Sequence, residues 1–103
     1  MTYKVYITND AHRDLSDITG YIKNKLCNSK AANDFLSEIE KYYEELKSNP
    51  LMFERCRDAR LNAMGYRKIP IKNYICFYKV DEKEKTVYIM RIIYGRRDYG
   101  KLI

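Results

Sequence analysis

The sequence predicts an α+β domain of order β-α-α-β-β-β, a mainly antiparallel, twisted sheet carrying an antiparallel helix pair on one face. Three observations lead there. Met64–Tyr99, MGYRKIPIKNYICFYKVDEKEKTVYIMRIIYGRRDY, holds three apolar, Tyr-rich stretches joined by short polar turns. Between residues 11 and 46, two sets of apolar residues recur at spacings of three and four. The opening Thr2–Thr8 alternates from one side to the other.

In Thr2–Thr8 (TYKVYIT), Tyr3, Val5 and Ile7 share one side and Lys4 and Tyr6 the other, as in a half-buried strand. Thr8, Asn9 or Asp10 caps the next helix, whose early acidic residues suit the positive end of the helix dipole. Ala11, Leu15, Ile18, Ile22 and Leu26 line its inner face, to about residue 27. Gly20 costs about 1 kcal/mol relative to Ala there and reads as a point of close packing. Cys27–Asn28 breaks the period, and Ser29 caps a second helix with Ala32, Phe35, Ile39, Tyr42 and Leu46 inward. Pro50 ends it. So short a break folds the two helices into a hairpin.

Leu51–Ala63 has no clean period and reads as an irregular connection with one helical turn near Asp58–Leu61. Gly65–Ile71 then turns at Lys72–Asn73 into Tyr74–Val80, with Asn73 supplying the positive φ of a tight hairpin. Pro70 belongs where no ladder hydrogen bond is required. Asp81–Lys85 leads into Thr86–Tyr94. Strict alternation there puts Val87, Ile89, Arg91 and Ile93 on one face and Tyr88, Met90, Ile92 and Tyr94 on the other.

The 103 residues are expected to form one domain, residues 1–103, large enough to bury its own core. No run approaches the length of a bilayer span, and MTYKVYITND lacks the build of a signal peptide. A cytoplasmic protein with no membrane contact is therefore expected. Cys27, Cys56 and Cys76 are an odd set without CxxC spacing, which indicates neither a disulfide framework, nor a metal site, nor a cofactor. Cys76, between Ile75 and Phe77, reads as a small buried hydrophobe. The formal net charge of +6 is uneven: residues 1–50 hold seven Lys/Arg against eight Asp/Glu, and residues 51–103 hold thirteen against six. Charge alone leaves two equal readings, an anionic partner for the second half or a basic surface kept for solubility.

This element order, with YRKIPIKNYICFYKV, VYIMRIIYGRRDY and a second helix running into LKSNP, resembles the RelE/ParE superfamily of small bacterial toxins. Ala11, Asp14, Leu15, Ile18, Tyr21 and Ile22 of the first helix add to a likeness that covers essentially the whole chain. The resemblance implies the toxin of a type II toxin–antitoxin pair, which arrests growth unless a cognate antitoxin protein wraps it. RelE-like members cleave mRNA on the ribosome, whereas ParE-like members poison DNA gyrase.

Metal-free RNA cleavage needs a base for the 2′-hydroxyl, cations for the charge building on phosphorus and an acid for the leaving oxygen. The lone His12 lies far in sequence from the basic strands and reads as a surface or capping residue. RelE-like nucleases are similar in using Lys, Arg and Tyr instead. Against that pattern, Arg67 falls at the basic position of the first hairpin strand and Arg97 at the arginine ending the last strand. The central hairpin arginine aligns with Ile75, which stabilises no phosphorane. The pattern's C-terminal tyrosine has no counterpart, and Tyr99 is the nearest substitute. One lost charge stabiliser costs about 10²–10³ in rate. The resemblance therefore favours the ParE-like branch, with gyrase as target. A ribosome-dependent mRNA endonuclease, with Arg67, Arg97 and Tyr99 catalytic, is the alternative.

The target-binding candidates are Arg60, Lys68, Lys72, Arg91, Tyr94, Arg96, Arg97 and Asp98. Plainer readings stand beside them: Arg91 as a paired charge, Lys68 and Lys72 as solvated hairpin charges, Arg96–Asp98 as a local salt-bridge cluster worth little when exposed. Tyr3, Tyr6, Tyr74, Tyr78 and Tyr88 fall at strand spacing and read as core or sheet-face residues before base-stacking platforms. A non-toxic, basic nucleic-acid-binding module is the reading from another class, although no RNP-, KH- or helix-turn-helix-like signature accompanies it. The resemblance makes the antitoxin the first partner. An acidic, amphipathic segment is expected to fold onto the basic half, by strand addition or helix-in-groove contact.

Overall fold

The computed structural model describes residues 2–103. In chain order come β1 (Lys4–Ile7), α1 (Asn9–Gly20), a π-helical turn (Tyr21–Lys25), α2 (Ser29–Ser48), α3 (Ala59–Ala63), β2 (Arg67–Ile71), β3 (Tyr74–Asp81), β4 (Thr86–Tyr94) and α4 (Tyr99–Leu102). The strands lie in the order β1-β4-β3-β2. β4 runs parallel to β1, and the β2–β3 and β3–β4 pairs are antiparallel. The α+β class and the helix pair on one face are those the sequence predicts. The short helices α3 and α4 extend that order, α3 at the turn expected near Asp58. None of the described helices is long and apolar enough to cross a membrane.

Thr8 caps α1, its Oγ1 accepting from the Ala11 N–H at 3.2 Å while donating to the Ile89 carbonyl at 2.8 Å. One side chain thus starts the helix and ties it to β4. The helix does not continue as α to residue 27, because it widens into the π-helical turn after Gly20. Gly20 has ordinary helical angles, and a Cβ there would meet nothing within 4 Å. Close packing is not its role. Asn28, rather than Ser29, caps α2, its Oδ1 accepting from the Ala31 N–H at 3.0 Å.

On the helix side, Ile18, Ile22, Phe35, Ile39 and Leu46 meet Ile69, Ile71, Cys76, Tyr78, Val87 and Ile89. A second, smaller core of Cys56, Leu61, Tyr66, Phe77 and Ile93 covers part of the opposite face, edged by Ile75, Met90, Tyr99 and Ile103. A bulge in β4 explains how that strand serves both. Phe77 pairs with Arg91 but Tyr78 pairs with Ile89, so Met90 stands unopposed. The extra residue resets the alternation: Val87, Ile89 and Ile92 face the helices, and Ile93 joins the second core. The single face expected for Val87, Ile89, Arg91 and Ile93 is therefore split.

The β2–β3 turn also departs from expectation. Lys72, not Asn73, takes the positive φ, at 55°. Asn73 instead offers its carbonyl to the Gly95 N–H at 2.8 Å, which lengthens the β3–β4 ladder by one bond. Pro70, opposite Ile75, lies on the edge strand β2, where a missing N–H is tolerated.

Two buried acids make stability depend on alkaline pH. Burial pushes the Cys76 thiol up to about 12. It pushes the Tyr78 phenol, whose hydroxyl donates to the Pro50 carbonyl at 2.9 Å, up to about 12 as well. Both values lie above those of the unfolded chain, so this contribution is complete below about pH 9 and is lost as pH rises toward the folded values. The urea midpoint is expected to fall steadily above about pH 9. Tyr78→Phe should start lower, by about 1–3 kcal/mol for the unpaired Pro50 carbonyl, and decline less steeply. A parent midpoint flat through that range would contradict this account.

Candidate functional site: a basic trough and a clamped C-terminal turn

The basic residues of the second half divide between two regions. In the first, Arg91 sits at the β4 bulge. Its Nε donates to Asp14 Oδ2 at 2.7 Å and its Nη2 to Asp14 Oδ1 at 3.2 Å. Asp14 Oδ2 also accepts from the Ile92 N–H at 2.9 Å. The hydrogen bond to Asp14 holds the Arg91 guanidinium above its usual pKa. Arg91 is thus a paired charge joining α1 to the bulge, and its free Nη1 donates to the Leu102 carbonyl at 3.1 Å.

Arg60 completes a clamp on the same segment. It lies on α3, which Asp58 caps by accepting from the Leu61 N–H at 3.0 Å. Its Nη2 donates to the main-chain oxygens of Gly100 and Ile103. Burial raises the pKa of Tyr66, while nearby Arg60 and Arg91 pull it down. Gly100 allows the closure, since a Cβ there would stand 2.9 Å from Asp58 Oδ2. Tyr99 lays its ring 5.0 Å from that of Phe77. Asp98 pairs with Lys101 at 3.7 Å, not with Arg96 or Arg97. Those two arginines are exposed beyond β4 and make no ion pair among the described residues. Tyr94, its ring 5.7 Å from Tyr74, and Lys72, 3.7 Å from Glu38, mark the β2–β3 turn nearby.

The second region is a trough of about 930 Å³ lined by residues from β1, β2, β3, β4, the β3–β4 turn and the connection before β2, including Tyr6, Thr8, Arg55, Arg67, Lys79, Tyr88 and Met90. Arg55 and Arg67 oppose each other across an isolated antiparallel bridge. It is flanked by the Cys56 N–H to Tyr66 carbonyl bond at 2.9 Å and the Lys68 N–H to Glu54 carbonyl bond at 3.3 Å. The arginines are therefore a non-hydrogen-bonded pair, the closer kind of opposition between strands. Each guanidinium donates to a neutral main-chain oxygen, Arg67 to Phe53 at 2.6 Å and Arg55 to Asn62 at 3.4 Å. Neither makes an ion pair among the described residues. Lys79 Nζ stands 5.0 Å from the centre of the Tyr66 ring. Tyr6 and Tyr88 meet edge to face, ring centres 5.8 Å apart, and Tyr6 is 54% exposed.

The structure thus brings Arg60 and Arg91 together over the C-terminal turn and sets Arg67 in the trough. It does not bring Arg67 near Arg97. Arg67 pairs with Tyr78, whereas Tyr94, just before Arg97, lies in the row of Tyr74 and Ile71. Those rows are about 14 Å apart along the strand. Arg55, Tyr6, Lys79 and Tyr88 were not among the predicted site residues. The bridge that places Arg55 leaves no periodic mark in the sequence, and the other three carry the signature of ordinary sheet-face positions.

A family model described as the ParE toxin of type II toxin-antitoxin systems, parDE, matches residues 5–99. No curated protein matches the chain in sequence. The fold is similar to a chain of the chromosomal ParDE system from P. aeruginosa, with a TM-score of 0.71, 18% identity and coverage of 90% of this chain and 96% of that one. It is also similar to a chain of the RelBE2 toxin–antitoxin complex from Mycobacterium tuberculosis, with a TM-score of 0.64, 22% identity and coverage of 91% and 99%. A mutant of the E. coli toxin RelE in the free state gives a TM-score of 0.66 at 12% identity, with coverage of 99% and 93%. At such identities these structures speak for the fold alone. The family match, which spans nearly every element just described, goes further: the chain belongs to the ParE family of toxins of type II toxin–antitoxin systems, within the RelE/ParE superfamily.

Proposed function

We propose that this toxin arrests growth by poisoning DNA gyrase and is held silent by a cognate antitoxin. The observation that carries the choice of target is the separation of Arg67 from Arg97. Cleavage of RNA requires its cationic and proton-transferring groups around one phosphate. Here the two arginines stand in different rows of the sheet, Ile75 occupies the central hairpin position, and the Tyr99 ring packs on Phe77. Exposed Arg96 and Arg97, beyond the end of β4, are better suited to contact a protein target than to assemble a nuclease site.

The antitoxin reading is supported by the edge of β1, which among the described residues pairs with β4 on one side and with no strand on the other. Beside it runs a groove lined by Val5, Ile7, Tyr43 and Lys47, and the buried Tyr43 hydroxyl has no hydrogen-bond partner among the described residues. An added strand would satisfy the outward main-chain groups of β1. Solved relatives of this fold include toxin–antitoxin complexes.

The test puts antitoxin-free protein into two parallel assays, gyrase supercoiling with a readout for trapped cleaved DNA, and cleavage of an mRNA on programmed ribosomes. The expected result is inhibited gyrase and intact mRNA. Cleaved mRNA with unimpaired gyrase would transfer the chain to the nuclease alternative.

A further inference from the structure

We propose that, in the chain freed of antitoxin, two copies join edge to edge through β1, antiparallel about a two-fold axis that passes beside Tyr6. The inference concerns the toxin alone and does not rest on an antitoxin strand taking the same edge.

The main chain supplies the first argument. The Lys4 and Thr8 N–H groups donate to the Lys85 and Ile89 carbonyls at 2.9 and 3.1 Å, so Lys4, Tyr6 and Thr8 turn their peptide groups toward β4. Val5 and Ile7 turn theirs the other way, where no strand stands among the described residues. A bare strand edge of this kind is a template for another strand. An antiparallel partner must set outward residues opposite outward residues, which restricts the symmetric registers. With Val5 opposite Val5, Ile7 would face Tyr3, whose N–H is already taken by the Lys47 carbonyl at 2.7 Å. With Ile7 opposite Ile7, Val5 would face Asn9, which begins α1. With Val5 opposite Ile7, every outward group of β1 finds a partner, each pair exchanging both of its N–H···O bonds.

The side chains supply the second. That register sets Tyr6 of one copy opposite Tyr6 of the other as a non-hydrogen-bonded pair, the closer kind. Tyr6 is 54% exposed although Tyr88 packs edge to face against it on the β4 side, and the second ring would cover its bare flank. Facing aromatic side chains favour strand pairing. Lys4, the charged residue of β1, meets Thr8 rather than another Lys4, so no like charges are opposed along the strand. On the helix side, the groove of about 540 Å³ beside β1 carries Glu40 and Glu44 together with Lys41 and Lys47. Its charge is balanced in a chain of net +6, so two copies meet there without the repulsion that a basic face would impose. The two sheets then become one continuous sheet across the axis. So short a strand pair belongs among small, transient interfaces, and the dimer is expected to build up with concentration.

The test follows the full, antitoxin-free chain by sedimentation velocity from about 1 µM to about 1 mM. The parent is expected to pass from monomer to dimer over that range. Tyr6→Lys and Tyr6→Glu, at an exposed position, should each keep the parental Tm and weaken the dimer at least about tenfold, by setting like charges across the axis. Mixing the two variants should restore dimers, because opposite charges then face each other, a result that an interface elsewhere would not give. Val5→Pro removes an outward N–H that an edge strand can spare and should also leave the chain monomeric. If that variant does not fold, the Tyr6 variants decide. The proposal is overturned by a parent that stays monomeric throughout, by Tyr6→Lys dimerising like the parent, or by a mixture no more dimeric than its components.

Discussion

Replacing Asp14 by Ala is expected to destabilise the fold by about 3 kcal/mol. The carboxylate does two jobs, meeting Arg91 through two hydrogen bonds and accepting the Ile92 N–H beside the bulge. With side chains 29% exposed for Arg91 and 16% for Asp14, the pair is shielded enough that the abandoned guanidinium does not recover full hydration. The Ile92 N–H loses its acceptor at the same time. Asp14→Asn keeps one acceptor for that N–H and should cost about half as much. Because removing one partner is worse than removing both, Arg91→Met with Asp14→Ala should be less damaging than Asp14→Ala alone. Urea unfolding of the four proteins gives the comparison. A cost below about 1 kcal/mol for Asp14→Ala would mean that the pair behaves as an ordinary surface contact.

Phe77→Ala should cost more, about 3–5 kcal/mol. Phe77 is fully buried at the centre of the smaller core, with the Tyr99 ring against it. That core has five buried residues, so one lost ring leaves a cavity the others are too few to fill. The damage should also be local. No residue of α4 is buried, and Tyr99 is its contact with Phe77. Hydrogen exchange at Gly100 to Ile103 should therefore accelerate more than exchange in α2. Phe77→Leu, which keeps most of the volume, should cost under about 1.5 kcal/mol. Equal acceleration in α2 and the C-terminal turn would show that the two cores unfold as one.

What could be read in the sequence was whatever depends on a local period. Ile18 and Ile22, Phe35 and Ile39, and the strand runs announced their buried faces, and Pro50 and Lys72–Asn73 announced the breaks between elements. Pairing was less legible. The Met90 bulge reverses the faces of β4 without altering a residue type, so strict alternation assigned Ile92 and Ile93 to the wrong sides. Asp14 and Arg91 are 77 positions apart, and nothing near either names the other. Cys56 and Leu61 have no periodic neighbours, which hid the second core. The trough is assembled from several separate segments of chain, and its lining looks unremarkable in each of them.

The parallel pairing of β1 with β4 governs the order in which the molecule can come into being. Among the described residues β1, made before the other three strands, has β4 as its sheet neighbour, with Lys4 opposite Thr86. Until residues 86–94 have been made, β1 has no strand to join, and the faces of α1 and α2 lack Val87, Ile89 and Ile92. Closing so long a loop adds little to the thermodynamic cost, which grows only with the logarithm of length, but such distant pairing slows folding. A nascent toxin is thus an incomplete one, with an open sheet and an unfilled interior.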